Sequence, residues 1–190
     1  DAEALLRRAT QVAPDHVSAW LSLGSLLSEQ NKRMEAIDCF RQATKIEPAH
    51  AGAWALLGNA YGQASYPEKS VQAYRTSLKL NPEIAHHQMG YGHVLKTIGE
   101  LAGSLAAYRE AIRLRPQFGE VYWSMANLKI FKFENEEVTA MKEQVASKDL
   151  SESEDIHFRF ALGKAMEDRD DYDQAWHYYH TGNQNQRMTL

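Results

Sequence analysis

Apolar and small residues recur along the chain at a helical spacing, in pairs of segments. Within residues 51–84, the first stripe consists of Trp54, Leu57, Gly58 and Tyr61. A second stripe consists of Ser70, Tyr74 and Ser77. Each set falls on one face of a helix with 3.6 residues per turn. Pro82 then ends the second segment, because proline disrupts a helix interior. The pattern predicts two packed helices joined by a turn.

This unit repeats every 34 residues. The repeated positions are Pro14, Pro48, Pro82 and Pro116; Gly24, Gly58 and Gly92; Trp20 and Trp54; Phe40, Tyr74 and Tyr108; and Ala36, Ser70 and Ser104. Self-similarity at this period is typical of helix–turn–helix arrays. A single unit cannot bury its own apolar face, so stability is expected to come from stacking on its neighbours.

These residues resemble the tetratricopeptide repeat, whose pattern has a Trp, a Leu-Gly pair, an aromatic residue and later an Ala, an aromatic residue, an Ala and a Pro. The resemblance implies an all-α fold, a right-handed superhelical array of helix–turn–helix repeats forming a single domain. The predicted units are a half repeat at 1–16, full repeats at 17–50, 51–84 and 85–118, a degenerate repeat at 119–152, a final repeat at 156–184 and a tail at 185–190.

Composition narrows the function classes only a little. The net charge is −4, with 24% charged and 44% hydrophobic residues, which is ordinary for a globular protein. No basic block indicates nucleic acid, and no apolar run is long enough to cross a membrane. Cys39 is the single cysteine, so an intrachain disulfide is excluded and a reducing, cytoplasmic location is expected.

The acidic stretch DRDDYD, residues 168–173, is the motif that most resembles a metal-binding or acid/base site. In the repeat register it falls on a turn and the start of a helix. We therefore expect Asp171 and Asp173 to stabilise the start of that helix, where free N–H groups favour acids. His177 and His180 are three apart, a spacing that would suit a metal, but their face is predicted to point to solvent. We expect no catalytic residue, no metal and no cofactor in this chain.

The face opposite the packing stripe of each first helix gives a candidate binding groove for a peptide or protein. Its residues are Ser22, Ser25, Asn59, Gln63, His86, Met89, His93, Lys96, Trp123 and Asn127. Asn and Gln can bond a peptide backbone through both donor and acceptor, while Met89 and Trp123 suit a side-chain pocket. The alternatives are a merely solvated surface, or apolar residues packed on a neighbouring helix. Leu21 and Ser25 stand where chaperone-binding repeats place Lys and Asn, which disfavours a chaperone-tail receptor.

The last third resembles the join in bacterial proteins that carry tetratricopeptide repeats ahead of a sulfotransferase domain. The resemblance rests on residues 122–133 and 150–184, including Asn127, Lys129, Phe131, His157, Lys164 and Asn183. It implies a larger protein that uses 3′-phosphoadenosine 5′-phosphosulfate. The leading hypothesis is a non-catalytic module presenting a protein substrate. The alternatives are a module that only positions a catalytic domain, and a scaffold that self-assembles through its open ends, residues 1–16 among them.

Overall fold

A computed structural model describes residues 2–128, 131–147 and 149–188. The helices are α1 Ala2–Val12, α2 Val17–Glu29, α3 Arg33–Ile46, α4 Ala51–Gln63, α5 Pro67–Leu80, α6 Ala85–Thr97, α7 Leu101–Leu114, α8 Gly119–Ala126, α9 Asn135–Ser147, α10 Glu152–Glu167 and α11 Tyr172–Met188. The described residues contain no β-strand. The predicted fold class, an all-α superhelix of helix–turn–helix repeats, is confirmed.

The chain divides into two compact units, Asp1–Ala107 and Tyr108–Leu190. In the first unit, α2 packs on α3 and α4 packs on α5, and each pair also contacts the next helix along the chain. In the second unit, α10 packs on α8, α9 and α11. No helix in the described part of the chain has the length and apolar character needed to cross a membrane.

Close approach between paired helices explains the glycines of the repeat. A Cβ on Gly24 would lie 2.6 Å from the ring of Phe40, and one on Gly58 would lie 2.8 Å from the ring of Tyr74. Both rings are buried, at 2% and 6% exposure. The aromatic residue of the second helix therefore occupies the space that the glycine of the first helix leaves open.

Trp20, Trp54 and Gln88 occupy the same position in three successive repeats. Each donates a side-chain hydrogen bond to the proline that precedes its repeat. The indole N–H of Trp20 donates to the Pro14 carbonyl at 2.8 Å, and that of Trp54 donates to the Pro48 carbonyl at 2.8 Å. In the next repeat the amide of Gln88 donates to the carbonyl of Pro82 at 3.2 Å. Gln88 therefore departs from the Trp pattern in sequence but keeps its hydrogen bond.

Two of the small residues on the second helices also carry polar contacts. The hydroxyl of Ser70 donates to the Gly58 carbonyl at 2.6 Å, and that of Ser104 donates to the Gly92 carbonyl at 2.9 Å. Both serines are fully buried. Since a buried hydroxyl is costly without a partner, these bonds account for serine being tolerated in place of alanine.

The second unit has an aromatic core. The ring of Tyr122 lies 5.1 Å from that of Phe158 and 6.3 Å from that of Phe133, measured between centroids. Phe158 and Leu162 on α10 are fully buried. The second helix of the degenerate repeat is α9, with Val138 and Met141 on its buried face.

The DRDDYD stretch forms the turn between α10 and α11. The carboxylate of Asp171 accepts the backbone N–H of Gln174 at 3.2 Å, and Asp173 lies in the first turn of α11, which confirms the capping prediction. Asp170 has a positive φ of 59° at the tight turn. His177 and His180 are exposed, as predicted. Within the described residues, no three His, Cys, Asp or Glu side chains form a metal-binding group.

Local hydrogen bonds accompany the ends of the last two helices. The hydroxyl of Ser151 accepts the N–H of Glu154 at 3.3 Å and caps the start of α10. Helix α11 runs to Met188, so it includes most of the predicted tail. Within this last part of α11, the amide of Asn185 donates to the carboxylate of Asp155 at 2.8 Å. Lys129, which the sulfotransferase resemblance includes, lies outside the described residues.

Candidate functional site

Three of the predicted groove residues meet at one cavity in the first unit. Asn59 and Gln63 on α4 face His93 on α6 across a space of about 470 Å³. The other lining residues are Gly62, Ser65, Pro67, Tyr74, Gly90, Val94 and Thr97. The lining contains amides, hydroxyls and an imidazole but no carboxylate. The volume falls in the range of ligand pockets.

Tyr74 supplies a hydroxyl to this cavity. Its side chain is only 6% exposed, and its hydroxyl oxygen lies 2.4 Å from where a Cβ on Gly90 would stand. Within the described residues the hydroxyl has no hydrogen-bond partner. Burial raises the pKa of Tyr74 to about 12, so the group is a neutral donor at ordinary pH. The absence of a side chain at Gly90 leaves room for this hydroxyl at the cavity.

The sequence reasoning missed Tyr74 and Gly90. Tyr74 belongs to the predicted packing stripe, and the repeat pattern gives no role to Gly90. One signal was available: Gly90 stands 34 positions after Leu56 and 68 after Ser22, so the side chain disappears at that register position only in the third repeat. A glycine on the groove face predicts a deeper cavity at that position.

The amides at the rim are available to a ligand. Asn59 and Gln63 are exposed, and their side chains make no hydrogen bond within the described part of the chain. Thr97 instead donates its hydroxyl to the His93 carbonyl at 2.9 Å. The arrangement offers several donors and acceptors around an otherwise apolar space, which suits an extended peptide segment.

The other predicted groove residues of the first unit lie outside this cavity's lining. Ser22 is exposed and Ser25 is half-buried on α2. On α6, His86 is exposed, whereas Met89 and Lys96 are half-buried. The cavity is therefore confined to the region between α4, α5 and α6.

Trp123 and Asn127 lie in the second unit. The ring of Trp123 packs against Phe160 at 5.5 Å between centroids, which matches the alternative of packing on a neighbouring helix. The Asn127 amide donates to the Trp123 carbonyl at 2.8 Å. Asn127 also lines a smaller space of about 280 Å³ beside Phe131 and Lys164. These residues form a separate local surface.

Comparison with known proteins agrees with the repeat geometry. Two sequence models, both described as tetratricopeptide repeat, match residues 17–50 and 56–117, together about half of the chain. The chain is built on tetratricopeptide repeats. None of the curated proteins is similar enough in sequence to match it.

Solved structures share this tetratricopeptide fold. The crystal structure of MamA superposes with a TM-score of 0.61 at 18% identity, covering 99% of this chain and 88% of that one. YrrB superposes with a TM-score of 0.65 at 14% identity, covering 96% of this chain and 92% of that one. YrrB is described as a TPR protein with an unusual peptide-binding site. At these identities the likeness establishes the fold alone.

Proposed function

We propose that this chain is a non-catalytic module that binds a peptide segment in the cavity between α4, α5 and α6. The observation that carries the proposal is the Tyr74 hydroxyl, which has no hydrogen-bond partner in the described residues and lies at a cavity lined by Asn59 and Gln63. A ligand that supplies an acceptor can accept a hydrogen bond from this hydroxyl.

A peptide is the ligand class that the rim chemistry favours. Asn59 and Gln63 each present a donor and an acceptor, which is the pairing that a peptide backbone needs. Val94, Pro67 and the ring of Tyr74 provide the apolar contact for a side chain entering the space. The description of YrrB as having a peptide-binding site, in a protein of the same fold, supports this assignment.

Peptide-array selection followed by calorimetry tests the proposal. For a selected peptide, Asn59→Ala is expected to weaken binding about tenfold, because loss of a bidentate amide costs roughly 1–2 kcal/mol. Ser22→Ala is the matched control, since Ser22 is an exposed predicted groove residue outside this cavity. Equal affinity for both variants and the unaltered chain would reject the site.

The sulfotransferase context remains a separate proposal about a larger protein. It rests on the resemblance of residues 122–133 and 150–184, since the relatives described above are tetratricopeptide repeat proteins. In that context the module would present a protein substrate to the transferase or position its catalytic domain. Reading the gene beyond residue 190 tests this directly, and a sequence without a sulfotransferase domain would reject it.

Self-assembly is the second candidate function, and exposed apolar residues on α1 favour it. Leu5 and Val12 are 70% and 74% exposed and stand one heptad apart, so they share a helical face. Light scattering on the chain and on a Leu5→Glu, Val12→Glu variant tests this candidate. A concentration-dependent dimer that the double variant abolishes is expected, and a monomer at all concentrations would contradict it.

A further inference from the structure

Two further cavities in the first unit are copies of each other. The first, of about 510 Å³, lies among α1, α2 and α3, and the second, of about 530 Å³, lies among α3, α4 and α5. Each of the residues that line the second stands 34 positions after a residue that lines the first. Trp20 corresponds to Trp54, for example, and Arg7 corresponds to Arg41. The repeat therefore builds the same space twice.

The first cavity neutralises its own arginine. The Arg7 guanidinium lies 2.5 Å from a carboxylate oxygen of Glu35 on α3 and 2.9 Å from one of Glu3 on α1. Glu3 also accepts from Lys32 at 2.9 Å. A carboxylate is therefore the group that this arrangement of side chains accommodates opposite its arginine.

The second cavity lacks those carboxylates. Lys69 stands where the first cavity has Glu35, Gln72 where it has Asp38, and Lys45 where it has Gln11. Together with Arg41 this leaves three cations and no acidic residue in the lining described by the structure. The first cavity therefore holds an internal carboxylate beside its arginine, whereas the equivalent second cavity has only cationic side chains among its charged lining residues.

The cations of the second cavity are only weakly engaged. Arg41 pairs with Asp38 of its own helix at 3.5 Å, and the Asp38 side chain is 71% exposed. Lys69 lies over the rings of Tyr61 and Tyr66, at 5.7 Å and 4.8 Å from their centroids. Lys45 has no ion pair within the described residues. Such exposed pairs contribute little, so an incoming anion meets little competition.

We propose that this second cavity is a docking site for an acidic segment of a partner protein, whose Asp or Glu carboxylate takes the place that Glu35 holds in the first cavity. Trp54 and Tyr61 provide an apolar wall for the stem of the acidic side chain. The site uses the second-helix side of the repeats and is independent of the cavity beside Tyr74.

Fluorescence anisotropy with a labelled peptide of alternating Glu and Gly tests the proposal. The whole chain is expected to bind this probe, and 0.5 M salt is expected to weaken binding several-fold because exposed charges are screened. The same peptide with Gln for Glu is the matched probe and is expected not to bind. Equal binding of the two peptides would overturn the proposal.

The two copies of the cavity provide reciprocal variants. Lys69→Glu restores the residue type of the first cavity and should weaken binding about tenfold, while Lys69→Gln should weaken it about threefold. Glu35→Lys converts the first cavity into the cationic form and should strengthen binding. Tyr74→Phe should leave the affinity unchanged, which separates this site from the proposed peptide cavity. Circular dichroism melting confirms that each variant folds.

Two results would contradict the assignment. An unchanged affinity in Lys69→Glu would show that the acidic probe binds elsewhere. Displacement of the probe by inorganic phosphate at lower concentrations than by free glutamate would identify a phosphate site in place of a carboxylate site.

Discussion

The hydroxyl of Tyr74 lies 2.4 Å from the point where a Cβ on Gly90 would stand. Tyr74 belongs to the second helix of one repeat and Gly90 to the first helix of the next, so this contact joins α5 to α6. The Tyr74 hydroxyl therefore lies beside Gly90, at a position where the other repeats carry a side chain.

Gly90→Ala should destabilise the protein. The added methyl would overlap the Tyr74 hydroxyl and ring, and overpacking of this kind costs about 1–3 kcal/mol. Gly62→Ala is the matched control because its Cβ would meet Ser70 only at 3.5 Å. In a helix, that change should stabilise by about 0.5–1 kcal/mol. Urea unfolding measures both, and equal effects of the two substitutions would refute the contact.

Replacing Gln88 by Trp, the residue at this position in the two earlier repeats, should preserve stability. Gln88→Leu removes the hydrogen bond to the Pro82 carbonyl and should cost about 1 kcal/mol. Gln88→Trp should recover that loss, since Trp20 and Trp54 make the same bond in the earlier repeats. Thermal melting compares the variants. A Trp variant no more stable than the Leu variant would show that the hydrogen bond contributes nothing.

Stability should fall as the pH drops below about 6.5, and His87 should contribute to the fall. The ring of His87 lies 2.8 Å from the hydroxyl of Ser77, and burial, followed by the charge of His86, lowers the pKa of His87 from its ordinary value of 6.5. The unfolded chain therefore binds the proton more readily than the folded chain. The contribution of His87 is complete above pH 6.5 and is lost as pH falls toward the lowered pKa.

Unfolding free energies between about pH 5 and 8 measure this dependence. His87→Gln should flatten the slope below pH 6.5. A slope unchanged in His87→Gln would assign the acid sensitivity to other groups.

The cap at the start of α11 should contribute measurably to stability. Asp171→Ala removes the acceptor of the Gln174 N–H and should cost about 1 kcal/mol. Asp173→Ala, one residue into the first turn, should cost only a few tenths of a kcal/mol. Denaturant melts compare the two, and an equal cost would mean that charge near the helix end matters more than the capping bond.

The 34-residue register made the helical packing predictable from sequence. The prolines, glycines and aromatics report local constraints that are the same in each repeat, such as the ring of Phe40 filling the space at Gly24. The cap at Asp171 was predictable for the same reason, since capping depends only on neighbouring residues.

The candidate site was less predictable because it depends on contacts between repeats. The register placed Asn59 and His93 on the groove face. The Tyr74 hydroxyl, in contrast, fits at the cavity because Gly90 in the next repeat has no side chain. Trp123 looked like a free anchor because its contact with Phe160 joins residues that are distant in sequence and belong to no repeated pattern.

Calorimetric titration of an array-selected peptide into Tyr74→Phe measures whether the Tyr74 hydroxyl contributes to peptide binding in the cavity between α4, α5 and α6. The substitution removes one hydroxyl and leaves the ring that packs on Gly58. Tyr122→Phe, in the aromatic core of the other unit, is the matched control. We expect binding to be weakened about 5- to 30-fold in Tyr74→Phe, with the melting temperature retained and the control unaffected. Equal peptide affinity in Tyr74→Phe and the unaltered chain would contradict it.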